Sequence, residues 1–218
     1  MTQRIRAVVF DLDGLIFNTE DLYQHVGSLV LRRRGKNFDD DLLDQMMGRQ
    51  PKIALQMMID YHDLNDSVEQ LALESEEVFR EILDERLELM PGFIDLMQAL
   101  EQATIPKAVA TSSGRDFTSN VLGRFNLQQR FEFILTSEDV RQGKPEPEVY
   151  LTAAQRFGVD PSEMLVLEDS QNGCRAAIAS GAFAVAVPTG RSRSHEFDGA
   201  ALIADTLADR RIYESLGL

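Results

Sequence analysis

Cysteine is nearly missing from this chain. Cys174 is the only one in 218 residues, so no disulfide can form within the chain. Cys174 sits in a run of small apolar residues, CRAAIASGA, and reads as a packing residue. Long hydrophobic runs are also missing, and no stretch is long enough to span a bilayer. Basic residues are few: 22 Lys and Arg face 36 Asp and Glu, a net charge of −14. Such a surface repels phosphate backbones at long range, which argues against nucleic acid as a partner. A small phosphorylated ligand is still allowed, because local charges and a bound cation override the global field. The basic clusters, Arg32–Arg33–Arg34 and Arg191 with Arg193, read as a solvated helix end and a loop. There are no repeats at solenoid periods and no low-complexity tracts. MTQRIRAVVF leads straight into an apolar strand, too early for a secretory signal. The expectation is a cytoplasmic protein acting as a monomer or weak homodimer.

What is present is 44% hydrophobic and 27% charged, ordinary for a globular protein. Five short runs are continuously apolar: residues 6–10 (RAVVF), 107–111 (KAVAT), 133–136 (FILT), 164–167 (MLVL) and 184–187 (AVAV). Continuous rather than alternating apolarity predicts parallel strands covered on both faces. Helical patterns lie between them at about 92–102, 115–125, 147–157 and 172–180. Strand and helix in alternation predict an α/β fold, a doubly wound parallel sheet in a Rossmann-like core. The alternation breaks between about residues 19 and 87, where four helical segments (21–33, 40–47, 51–61 and 68–87) follow one another. Ser67 and Gln70 predict a capping box for the last of them. An all-helical cap domain at 18–89 is therefore expected inside a core formed by 1–17 and 90–218.

The strand ends carry the chemistry. The first ends in Asp11–Leu12–Asp13–Gly14. Ligands of open α/β sheets bind at the carboxyl ends of the strands, and two carboxylates there are costly unless used or paired with a cation. Alone, the tetrapeptide also reads as a turn. The second strand ends in Thr111–Ser112–Ser113–Gly114 before a helix, where hydroxyls and free N–H groups suit a phosphate; alone, it reads as an N-cap. Gly143–Lys144–Pro145 follows the third strand and holds a cation on a stiffened loop. The fourth ends in Glu168–Asp169–Ser170, hard oxygen ligands that suit Mg²⁺. Acid–acid, hydroxyl, lysine and acid–acid at one sheet edge are the parts required for phosphoryl transfer.

These segments resemble the four motifs of the haloacid dehalogenase superfamily: DLDG, Thr111, Lys144 in GKPEPEVY, and LEDS at 167–170. The helical segment resembles the cap of the subfamily that contains β-phosphoglucomutase and phosphoglycolate phosphatases. The resemblance implies that Asp11 is the nucleophile and Asp13 the acid–base. It implies that Thr111, Ser112 and Ser113 bind the phosphoryl group together with Lys144, which also offsets charge on Asp11. It implies that Asp11, the backbone carbonyl of Asp13, Glu168 and Asp169 hold Mg²⁺, and that Arg49 reaches substrate from the cap. The expected activity is hydrolysis of a small phosphate monoester, a sugar phosphate or similar metabolite; the alternative is a β-phosphoglucomutase-type phosphomutase. Tyr23 and Pro51 stand where the mutases have histidine and arginine, and Asn18 where most relatives have aspartate. These departures favour the phosphatase. A non-catalytic module would lack one of Asp11, Asp13, Lys144 or Asp169, and all four are present. His25, His62 and His195 read as packing or surface residues, and Met46, Met47, Met57 and Met58 as cap core.

Overall fold

The structure, a computed structural model, describes residues 4–46 and 51–218. It divides into two compact units, Met1–Asn18 with Leu89–Leu218, and Thr19–Glu88. Among the described residues, no helix is long and apolar enough to cross a membrane.

The larger unit is built on a sheet of β1 (Ala7–Phe10), β2 (Lys107–Ala110), β3 (Ile134–Leu135), β4 (Met164–Glu168), β5 (Phe183–Ala186) and β6 (Leu202–Ile203). All pairs are parallel, in the order β3-β2-β1-β4-β5-β6. The chain winds outward from β1 through β2 to β3, then returns to β4 on the other side of β1. The point where the order reverses therefore lies between β1 and β4, where Phe10 pairs with Leu167. Alternate β1 side chains serve opposite faces. Ala7 and Val9 join Val149, Ala153 and Ala177 from α7 (Glu148–Phe157) and α8 (Gln171–Ser180). Phe10 packs edge-to-face on Phe93 of α5 (Phe93–Gln102) and on Phe131. Burial of each such side chain contributes roughly 1.5–3 kcal/mol, which is why β1, β2 and β4 are buried along their whole length.

The predicted strands all form, each within two residues of the expected bounds at either end. β6 and the last helix, Arg210–Leu216, are additions. A two-residue edge strand is too short to leave a pattern in sequence. The remaining core helix, α6 (Arg115–Arg124), follows β2.

The smaller unit is helical: α1 (Thr19–Arg32), α2 (Asp40–Met46), α3 (Pro51–His62) and α4 (Val68–Arg86). The capping box of α4 is formed: Ser67 N donates to Gln70 Oε1 at 2.8 Å, and Gln70 N donates to Ser67 Oγ at 3.2 Å. The basic cluster ending α1 is more than a solvated helix end. Arg34 donates to both carboxylate oxygens of Asp66 at 2.9 and 2.7 Å, and to Glu74 at 2.6 Å; Arg33 donates to Glu74 at 2.8 Å. This network ties the end of α1 to the start of α4. Tyr23 of α1 stacks on Phe79 of α4 with ring centroids 4.6 Å apart. Met58 is buried, as expected of cap core; Met47 lies outside the described residues.

Gly92 sets the entry to α5. Its φ is +85°, and a Cβ there would lie 2.5 Å from the backbone nitrogen of Ala208. The strain costs about 1–2 kcal/mol before the clash is counted. At Gly143 a Cβ would meet nothing within 4 Å. By calorimetry, Gly92→Ala lowers the melting temperature by about 4 °C or more, while Gly143→Ala leaves it within about 2 °C of wild type.

Candidate active site

The carboxyl ends of β1 and β4 lie side by side at the reversal point, because Asp11 N donates to Leu167 O at 3.0 Å. That places Asp11, just past β1, beside Glu168 and Asp169. All three are buried, and one carboxylate oxygen from each lies within 4.8 Å of the others. The third partner comes from the loop before α7. That loop is folded by Glu148, whose carboxylate accepts from Arg141 N at 3.0 Å and Gln142 N at 2.8 Å. From it, Lys144 Nζ donates to Asp11 Oδ1 at 2.5 Å, to Glu168 Oε1 at 2.6 Å and to the Ala110 carbonyl at 3.0 Å. One ammonium thus spends its three protons on the ends of β1, β4 and β2.

Glu168 is fully buried, which is tolerable only because both of its oxygens are hydrogen-bonded. Oε1 accepts from Lys144 and, at 2.7 Å, from Tyr150 Oη; Oε2 accepts from Ser170 N at 3.2 Å and Ser170 Oγ at 3.0 Å. The first turn of α8 covers it. Gly173 is required there, since a Cβ would overlap the Glu168 carboxylate. Tyr150 and Gly173 are the site residues that the strand-end reading missed. The signal for Tyr150 lay within GKPEPEVY; that for Gly173 exists only in three dimensions.

Asp13 lies in a tight turn closed by Gly14 N donating to Phe17 O at 2.9 Å. Its Oδ2 accepts from Ser113 Oγ at 2.6 Å and Thr111 Oγ1 at 3.3 Å, while Oδ1 is buried with no hydrogen-bond partner. The strand-end hydroxyls after β2 therefore hold Asp13. Ser112 is exposed. The first turn of α6 is capped from outside: Arg115 N donates to the Glu138 carboxylate at 3.0 and 3.1 Å. Asp11, Asp13, Thr111, Ser113, Lys144, Glu168 and Asp169 are thus tied to the ends of three neighbouring strands. Arg49 lies outside the described residues.

The electrostatics follow from burial. Removal from water pushes the Asp11 carboxyl up to about 8, against the pull of Lys144; Glu168 and Asp13 push in the same direction as burial. Burial works against the Lys144 ammonium, but Asp11 and Glu168 overcome it and hold Lys144 well above the ordinary lysine range. Three buried carboxylates face one ammonium. The excess negative charge and the all-oxygen donor set fit a hard divalent cation.

With no metal, the native protein binds the Asp11 proton more tightly than the unfolded chain, whose carboxyl has the ordinary value of 3.8. The contribution is fully present below pH 3.8 and is lost as pH rises through about 8. Asp11→Asn removes the charge and leaves Lys144 paired with Glu168. In chelator, its melting temperature rises above that of wild type by a margin that widens from pH 5 to pH 9. At pH 9 the gain is on the order of a few kcal/mol, measured by thermal denaturation across the series. A constant margin would contradict the burial effect.

A family model described as haloacid dehalogenase-like hydrolase matches residues 8–187. A Drosophila melanogaster protein named "Probable pseudouridine-5'-phosphatase" is 34% identical over 213 residues, covering 95% of this chain and 92% of that one. A phosphorylated carbohydrates phosphatase of Thermotoga maritima is 30% identical over 177 residues, covering 81% of this chain and 82% of that one. Among solved structures, CbbY from Rhodobacter sphaeroides in complex with phosphate superposes with a TM-score of 0.81 at 26% identity, covering 98% of this chain and 100% of that one. With the strand order, the acidic strand ends and a match that runs from β1 to just past β5, the chain belongs to the haloacid dehalogenase-like hydrolases.

Proposed function

We propose that this chain is a Mg²⁺-dependent phosphatase that hydrolyses a small phosphate monoester, a sugar phosphate or similar metabolite, through an aspartyl phosphate on Asp11. The observation that carries this reading is a buried carboxylate, Asp11, bridged by Lys144 to a second acidic strand end, with another acid, Asp13, held by hydroxyls two residues on. The names of the relatives, a pseudouridine-5'-phosphatase and a phosphorylated carbohydrates phosphatase, support a sugar-bearing ester. In this reading residues 18–89 act as the cap domain of a core formed by 1–17 and 90–218, and the protein works in the cytoplasm.

In the first step an Asp11 oxygen attacks phosphorus, the ester P–O bond breaks, and Asp13 gives a proton to the departing oxygen. In the second, Asp13 takes a proton from water as the water oxygen attacks phosphorus. The bond from phosphorus to the Asp11 oxygen breaks, freeing phosphate and restoring the carboxylate. Thr111, Ser112 and Ser113 receive the phosphoryl oxygens, and Lys144 offsets the negative charge on Asp11 and the phosphoryl group. Asp11, the backbone carbonyl of Asp13, Glu168 and Asp169 would hold Mg²⁺, which when bound supplies positive charge to the phosphoryl oxygens.

A phosphomutase is less well supported, although the solved structures similar to this chain include β-phosphoglucomutases. A mutase must grip a distal phosphate while its intermediate turns over. At the two positions where the mutases carry histidine and arginine this chain has Tyr23 and Pro51, neither of which supplies positive charge. Tyr23 is moreover engaged in its stack with Phe79.

A panel of phosphorylated sugars and small organic phosphates tests the reading. Free phosphate is released from at least one member with Mg²⁺, none is released in excess chelator, and Asp11→Asn releases none under either condition. With β-glucose 1-phosphate and a trace of bisphosphate, glucose 6-phosphate forming much faster than free phosphate would make the chain a mutase.

The acid–base assignment has its own test. An alkoxide needs a proton on departure far more than a phenolate does. Asp13→Asn therefore loses on the order of 10²–10⁴-fold in kcat/KM on sugar phosphates and much less on aryl phosphates. Equal fractional losses would remove Asp13 from the role.

A further inference from the structure

Tyr150 takes no part in the steps above, yet it touches the charged centre. It is fully buried on α7, among Val149, Ala153 and Ala154, where a phenylalanine would fill the same space. Its hydroxyl donates to Glu168 Oε1 at 2.7 Å. The Lys144 ammonium lies over its ring, 5.2 Å from the centroid, a favourable placement for a desolvated cation. A buried hydroxyl is costly without a partner, so its single acceptor matters.

The geometry around that acceptor is tightly constrained. Lys144 has three protons, and each has an assigned acceptor: Asp11, Glu168 and Ala110. Glu168 Oε1 is the one oxygen shared by Lys144 and Tyr150. With the tyrosine hydroxyl in place, part of the charge on Glu168 is offset without Lys144. Without it, Lys144 is the one donor left to Oε1 among the described residues, and the ammonium is drawn toward β4 and away from β1. The ring limits the same movement from the α7 side.

We propose that Tyr150 is a positioning residue: by donating to Glu168 Oε1 and covering the Lys144 ammonium with its ring, it keeps Lys144 seated on Asp11. The effect on turnover rests on the phosphatase reading above; the effect on geometry does not. Tyr150 touches neither substrate nor the reacting atoms, so its removal weakens the step in which charge changes on Asp11 and leaves substrate binding nearly intact.

The test is Tyr150→Phe, which keeps the ring and removes one oxygen. Val149→Ala, which removes buried methyl groups from the same turn of α7 without reaching Glu168, is the control for packing loss. Crystal structures of wild type and Tyr150→Phe are to be compared, and kcat and KM measured for all three proteins with Mg²⁺. The expected result for Tyr150→Phe is a Lys144 Nζ moved out of hydrogen-bond distance of Asp11, kcat at least tenfold lower and KM changed less than threefold. Val149→Ala keeps the wild-type kcat while its melting temperature falls. A Tyr150→Phe structure with the Lys144–Asp11 contact unchanged overturns the proposal, as does wild-type kcat in that variant or an equal loss of kcat in Val149→Ala. If wild type hydrolyses no ester on the panel, the phosphatase reading fails, and the two crystal structures still decide whether Tyr150 seats Lys144.

Discussion

The contact on which the rest of the site depends is the Lys144 ammonium lodged between Asp11 and Glu168. Each partner arrives from a different part of the chain: the end of β1, the end of β4 and the loop before α7. None could be buried alone, since an unpaired charge out of water costs several kcal/mol. Together they are tolerable, and the surrounding structure consists largely of what makes them so. Ser170 and Tyr150 complete the hydrogen bonds of Glu168, the Ala110 carbonyl takes the last lysine proton, and Gly173 leaves room for the carboxylate beneath α8. Removing Lys144 leaves Asp11 and Glu168 exposed to the full cost of burial. The cluster therefore belongs to the stability of the core as much as to its chemistry.

The same constraint explains the imbalance of charge. Two strand ends bring more carboxylates into the site than one lysine can neutralise, and burial expresses the deficit by pushing Asp11 up to about 8. A proton or a divalent cation relieves it. The first stabilises the metal-free fold, and the second would leave the carboxylate ionised, as the proposed mechanism needs. The sheet makes this possible because β1 and β4 are adjacent where the winding reverses, so that both acidic ends come together there. Asp13, two residues beyond Asp11, is held by a separate set of hydroxyls, Thr111 and Ser113. The two acids thus have unlike surroundings, as the proposed nucleophile and proton carrier require.

Much of this was legible in the residues themselves. Continuous apolarity in RAVVF, KAVAT and MLVL announced buried parallel strands, because a strand covered on both faces has no reason to alternate. Acidic residues directly after such runs marked the sheet edge where ligands bind. The capping box at Ser67 and Gln70 was readable because it is a local hydrogen-bond exchange over three residues. Strand ends moved by one residue at most, since the last hydrogen bond of a ladder depends on the neighbouring strand. β6 gave no signal, being two residues that pair only because β5 is there to receive them.

What the sequence determined by itself was therefore what depends on near neighbours in the chain: the order of strands and helices, the helical insertion between β1 and α5, and the residue types at each strand end. Tertiary structure alone decided which of those residues meet. Lys144 stands 133 residues from Asp11 and 24 from Glu168 along the chain. Tyr150, in sequence an ordinary member of an amphipathic helix, proves to be a donor to the site. The Thr111 and Ser113 hydroxyls, readable as a helix cap, turn toward Asp13, while Glu138 caps α6 from another loop. The physical reason is that hydrogen bonds and ion pairs act over a few ångströms, and the folded sheet alone sets which distant side chains come within that range.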